Sequence, residues 1–388
     1  HSEALQRTLA SIRPSLAPGA GLIGLIPEAE PGLVAAALAA ADQAGYALRG
    51  AALRADTAEA QFVWDGPITG ALRSGSQPSE EAEKPDFSER VIQETARHSA
   101  LEALHARAEP SRWSTLHFAA WCGLAEKRLL APIAGEPLST VNRLLESVFR
   151  DPDHFQRFGA SRYDDPTTGL WFVGQVAIGN PSLADRVEAE VLRLLSSDEV
   201  VDEYEIMRAV CAALPGVQTP GRGLVLACLN SYARRVEPDA WRLRPEDAPA
   251  VRAQELQSIL AALRGLGERH GYRVAGENPQ EWGEAGQTLY LFAVIPSANF
   301  STSLLTLTTP AARRFLVLPG SRSGLAEFKL RRDPRLRAAM QAGGWRFVKF
   351  RQIRRMAADS QLARADLEPA FEADPLEEMK QLSLIADR

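Results

Sequence analysis

Two stretches of this chain run through the same order of elements, and that repeat limits the folds open to it. Over 88–106, 113–130 and 139–149 apolar residues recur at helical spacing, and Ser139 offers a cap for the last of the three. Phe155 to Val173 then places aromatic residues on either side of Asp164-Asp165-Pro166-Thr167-Thr168-Gly169, a turn-forming run, so a β-hairpin is expected there. The order returns further on. Leu183, Val187, Val191, Leu194 and Leu195 mark one helix, and Ile206, Val210 and Leu214 mark a second that Pro215-Gly216 ends. Thr219-Pro220 supplies a cap and a first-turn proline for a third helix running to Arg235, before Trp241 to Arg244 alternates as a strand.

Three helices followed by a hairpin is the order of a winged helix, so one or two such units are expected, over 87–180 and 181–248. In a helix-turn-helix the third helix lies in the major groove with its first residues at base edges. Arg222 stands at that position here, and Arg234 and Arg235 fall nearer the wing. Leu224, Val225, Leu226, Cys228 and Leu229 leave the same helix little room for base readout.

The flanking regions read as α/β. Leu22 to Ile26 is a short apolar strand, Gly32 to Ala44 an alanine-rich helix, and Tyr46 to Arg54 and Ala60 to Trp64 resume extended patterns, giving an α/β sheet piece over 1–72. Arg73 to Asp86 has the composition of a linker. Gly19-Ala20-Gly21-Leu22-Ile23-Gly24 spells GxGxxG but enters a strand instead of leading from one into a helix, so it is not a nucleotide loop. Beyond a long helix, 251–266, the expected order is strand (272–275), strand (288–295), strand (315–318), helix (324–341, restarted at Asp333-Pro334) and strand (345–350). That is the order of the restriction-endonuclease core, in which two carboxylates hold Mg²⁺ and a lysine orients the attacking water. Neither of the last two strands of the triplet carries an acid or a lysine, so a nuclease-like α/β domain lacking an evident active site is expected over 249–358. Glu327-Phe328-Lys329 spells Glu-x-Lys where a helix is expected, which makes Glu327 and Lys329 the weak catalytic candidates.

Charge is distributed unevenly. Between Arg313 and Arg355 stand 13 Lys/Arg against two acids, Glu327 and Asp333, within a chain of net charge -5. Clustered arginine suits a polyanion surface, because phosphate neutralisation with counterion release needs local charge whatever the total. Arg331, Arg332, Arg335, Arg351, Arg354 and Arg355 are expected to form a continuous basic surface, with Arg337 and Arg346 engaged by local carboxylates. The alternative is a solvated face paired with the acidic tail, 359–388. The expected partner is double-stranded DNA.

Other chemistries find no support in the sequence. Cys122, Cys211 and Cys228 lie far apart among apolar residues, and the six histidines include no HExxH spacing, so neither a disulfide framework nor a metal site is expected. No cofactor is expected. The chain has no apolar run long enough to span a membrane and no signal-peptide core at its start, so a soluble, cytoplasmic protein without membrane partners is expected.

Four stretches, LADRVEAEVLRLL, LPGVQTPGRGLVLACLNSYA, WRLRPED and GWRFVKFRQIRRMA, resemble the region that follows the catalytic domain in large bacterial DNA methyltransferase-like proteins of restriction-modification and phage-defence type. The first 72 residues resemble the last strands of such a methylase domain, without its cofactor loop or catalytic tetrapeptide. The resemblance implies a winged-helix-containing accessory region with no methyl transfer of its own, acting beside other subunits of a modification or defence complex. Three functions stand as alternatives: a non-catalytic DNA-binding or scaffolding module, a metal-dependent nuclease of restriction-endonuclease-like fold, and a protein–protein assembly subunit built on winged helices.

Overall fold

The computed structural model describes residues 2–17, 20–54, 56–66, 89–130, 138–161, 163–174, 180–197, 199–307 and 309–376. The expected linker, 73–86, and the end of the acidic tail, 377–388, lie outside them. The protein is a mixed α/β chain with several small sheets, and it divides into two compact units, 1–177 with 214–221, and 178–213 with 222–388.

The first unit contains α1 (Ser2–Ile12), β1 (Gly21–Ile26), α2 (Pro31–Gln43), β2 (Ala47–Arg54), β3 (Glu59–Asp65), α3 (Glu89–Arg107), α4 (Trp113–Glu126), α5 (Leu138–Phe149) and the hairpin β4 (Phe155–Phe158) and β5 (Leu170–Val173). The strands β1, β3 and β2 form a sheet in that order, with β3 antiparallel to both neighbours. Strict alternation in β3 buries Ala60, Phe62 and Trp64 on one face, where Phe62 stacks on Trp64 at 5.3 Å. A side chain at Gly24 would meet the Trp64 ring at 2.6 Å, so β1 needs glycine where the indole crosses it. The helix α4 is apolar all round and buried along nearly its whole length, as a central helix must be. Its aromatics build the core: Trp113 packs edge-on to Phe149 at 5.0 Å, and Phe118 lies against Phe62. Residues 214–221 complete this unit, with Arg107 donating to the Val217 carbonyl and Val217 packing against the same core.

The second unit opens with α6 (Leu183–Leu195), β6 (Val201–Asp202), α7 (Glu203–Ala213), α8 (Arg222–Tyr232), β7 (Ala233–Glu237) and β8 (Ala240–Leu243). The strands pair antiparallel in the order β6-β8-β7. Ser182 caps α6, accepting from Asp185 N at 3.2 Å. The third helix ends at Tyr232, not at Arg235. Arg234 and Arg235 belong to β7, because the apolar 3.6-residue pattern stops at Tyr232 and cross-strand pairing with β8 takes over.

The remainder comprises α9 (Pro249–Arg269), β9 (Arg273–Ala275), β10 (Gln280–Glu284), β11 (Gln287–Val294), α10 (Ser301–Thr306), β12 (Arg313–Leu318), α11 (Ser323–Arg332), α12 (Pro334–Gly343), β13 (Trp345–Lys349), α13 (Phe350–Ala358) and α14 (Leu367–Glu372). Five strands form one sheet in the order β13-β12-β11-β10-β9. β9, β10 and β11 make an antiparallel meander, and β11, β12 and β13 run parallel. The expected strand set missed β10, so the third strand after α9 is β11 and not 315–318. The sequence of β10, QEWGE, offers one large apolar residue, Trp282. That residue is fully buried, and a Cβ on Gly267 of α9 would meet its ring at 2.8 Å, which shows how closely helix and strand approach. Asp333 caps α12 through Arg335 N at 2.9 Å, with Pro334 in the first turn.

Candidate nucleic-acid interface

Four cations of the block, Arg322, Lys329, Arg335 and Lys349, are buried, and most of the exposed ones are drawn to carboxylates. Arg322 is fully buried, lies 3.5 Å over the Tyr232 ring and donates to Asp247. Arg335 is buried against Asp333 at 2.6 Å. Lys349 and Arg351 share Asp374, Arg354 reaches Glu255, Arg346 pairs with Glu372 and Arg313 with Glu368. Arg331 is exposed and Arg332 half-buried, and neither is free of partners. On α13 the spacing 351, 354, 355 puts three arginines on one exposed face, two of them neutralised. The continuous basic surface expected from 331, 332, 335, 351, 354 and 355 is therefore interrupted by carboxylates drawn from α9, the α11–α12 junction and the segment after α14. Asp333 stands within the block, Asp374 belongs to the acidic tail named above as the alternative partner, and only Glu255, 99 residues from Arg354, comes from a distant part of the chain that a local charge count does not reach.

The Glu-x-Lys lysine has a different role. Lys329 Nζ donates to Asp185 Oδ1 at 2.5 Å, to Glu188 and to the Ala298 carbonyl at 2.9 Å. The second oxygen of Asp185 accepts from the Ser301 backbone N–H at 3.3 Å and from its hydroxyl, and that of Glu188 accepts from Ala298 N at 2.7 Å and from the Tyr232 hydroxyl. The spacing 185–188 sets both carboxylates on one face of α6, turned toward α11. Burial alone would push the Lys329 amine down, but Glu188 and Asp185 outweigh it and hold it above its ordinary value, fully charged. Burial and then Glu188 hold the Tyr232 phenol well up. Asp247 bonds Arg322 and Arg252, and Glu255 links Arg252 to Arg354, so the cluster continues outward. Three cations, Lys329, Arg322 and Arg252, face three carboxylates, Asp185, Glu188 and Asp247. No acid or lysine stands on β11, and Lys329, with every proton donated, cannot orient a water. The candidates Glu327 and Lys329 therefore do not converge with a carboxylate pair on the sheet.

The predicted winged-helix cations separate. Arg222 folds back on Glu203, Nε to Oε1 3.0 Å, and Arg235 lies 4.9 Å over the Trp241 ring with Glu203 at 3.9 Å. Arg234 points the other way. It stands directly opposite Arg242 in the β7–β8 register, while Ala233, Leu243 and Trp241 turn inward. Arg242, missed from the sequence as a site residue, was legible in the alternation of Trp241-Arg242-Leu243. Among the described residues no carboxylate lies within ion-pair distance of Arg234 or Arg242.

No group of three or more His, Cys, Asp or Glu among the described residues is placed to hold a metal ion, and no described helix is long and apolar enough to cross a membrane. No protein-family model and no curated protein matches the chain.

Proposed function

We propose that the chain is a non-catalytic DNA-binding or scaffolding module of a bacterial DNA modification or defence system. In this reading α6, α7, α8 and the β6-β8-β7 sheet form a winged helix, and the five-stranded sheet is a restriction-endonuclease-like domain without a working site. The observation that carries the reading is the order α6, α7, α8 followed at once by the β7–β8 ribbon. Its non-catalytic character is supported by Lys329, whose amine is used up inside the fold by Asp185 and Glu188. Mobility shifts on duplex DNA at about 50 mM and about 200 mM salt test it, since phosphate-driven binding weakens steeply between the two. Binding at the lower salt, with plasmid left intact in the presence of Mg²⁺, is expected. The absence of any shift, or cleavage lost in Glu327→Ala, contradicts it.

The assembly-subunit reading is favoured by one feature of the first unit. The strand β1, all apolar or glycine, pairs only with β3 among the described residues, and its Ile23 and Leu25 are 63% and 72% exposed. Leu25, Ala52, Gln61 and Thr219 line a cavity of about 430 Å³ on that side. An unprotected apolar edge accepts a further strand from another protein.

A further inference from the structure

We infer that the outer face of the β7–β8 ribbon is a duplex-phosphate contact built from Arg234 and Arg242, and that α8 stays out of the groove; this rests on the DNA-module reading above. Residues directly opposite on one face of an antiparallel pair hold their Cβ atoms about 5 Å apart, and like charges so placed repel. The sequence sets two guanidinium groups at such a pair and supplies neither with an acid. Arg234 is exposed, and Nε of the half-buried Arg242 has no hydrogen-bond partner while being shielded from solvent. An anion at this pair removes the repulsion and takes charge-assisted hydrogen bonds from planar donors suited to phosphate oxygens. Glu237 lies on the same face two pairs nearer the turn, opposite Ala240, and beyond ion-pair reach of both arginines. With Asp239 it makes the tip of the ribbon acidic, so the contact sits along the ribbon and not at its tip.

The helix that would read bases in a major groove is occupied otherwise. Leu224, Val225, Cys228, Leu229, Ser231 and Tyr232 of α8 are buried, against α6 on one side and α11 on the other. Ser231 donates to the Ser321 carbonyl at 3.2 Å, and Tyr232 is covered by Arg322. What remains outward is Arg222, Gly223 and Asn230, and Arg222 is spent on Glu203. Two base-reading side chains cannot be assembled from that remainder. The ribbon therefore contacts backbone, and its affinity is the same for every sequence.

The test is fluorescence anisotropy of a labelled mixed-sequence duplex against salt, with the whole protein. Arg234→Ala/Arg242→Ala is expected to abolish measurable binding at about 50 mM salt, because the two arginines account for the whole log-affinity salt slope of about -1.8, while Glu237→Lys raises affinity and steepens the slope by about 1. Arg193→Ala, which removes a cation paired with Glu190 on α6, leaves both unchanged. Wild-type binding that neither ribbon variant alters overturns the ribbon contact and leaves the module reading standing. No binding by the wild type overturns both.

Discussion

Lys329 and Asp185 stand 144 residues apart in the chain and 2.5 Å apart in the fold, in an ion pair closed to water on every side. Buried pairs add little net stability over apolar packing, but removing one partner leaves an uncompensated charge in the core. Lys329→Met strands Asp185 and Glu188 together and is expected to cost roughly 3–5 kcal/mol, lowering the melting temperature of the second unit on the order of 10 °C. The triple variant with Asp185→Asn and Glu188→Gln should lose less than Lys329→Met alone. Thermal denaturation of both variants checks this, and equal losses would show that the charges do not act as a unit.

Burial, not the sign of the charge, sets the energetic weight of the other cationic residues. Arg354 pairs with Glu255 at a half-exposed position, so Arg354→Ala is expected to cost under about 1 kcal/mol. Arg322→Ala, which removes a fully buried guanidinium from Asp247 and Tyr232, should cost several times more. Urea denaturation midpoints of the two variants decide the order.

The helices and strands with a strong period are legible in the sequence. LADRVEAEVLRLL and EAQFVWD each announce one buried face, and Asp333-Pro334 marks the start of α12. Three things were not legible. QEWGE forms β10 because Trp282 packs under Gly267 of α9, a contact no local pattern encodes. The cations of 313–355 looked like a surface because most of their acids, Asp247 and Glu255 for Arg322 and Arg354, Asp374 for Arg351, and Asp185 and Glu188 for Lys329, come from elsewhere in the chain. Pairing of Arg234 with Arg242 depends on a register that only the bulge between Arg235 and Glu237 and the turn after it establish.

In the first unit, His117 is buried on α4 with Trp121 Nε1 donating to its Nε2 at 3.0 Å. Burial lowers its pKa to about 4, against a partial opposing effect from Asn142. The unfolded chain therefore binds a proton that the folded one refuses between about pH 6.5 and 4, and folding stability falls as pH drops through that window, by up to about 3 kcal/mol. The imidazole resonances of His117 should remain those of the neutral ring until pH nears 4. Titration near 6.5 would contradict this.

The β1 edge offers a separate check on the assembly reading. Ile23→Lys/Leu25→Lys places charge on a strand face already open to solvent, so stability should change by no more than about 0.5 kcal/mol per site. If a partner strand adds there, the variant loses co-purifying chains that the wild type retains. Unchanged association would remove β1 as the docking edge.

The salt dependence of duplex binding by the unmodified protein separates a contact made by the β7–β8 ribbon from one made by the cationic block. Two arginines neutralising two phosphates give a slope of about -1.8 in log affinity against log salt. A slope near that value is the result expected if the ribbon alone makes the contact and the cationic block stays folded on its own acids. A slope steeper than about -5 would mean that the C-terminal arginines leave Asp374, Glu255 and Asp333 to bind DNA, and a flat profile would mean that phosphates are not what the protein holds.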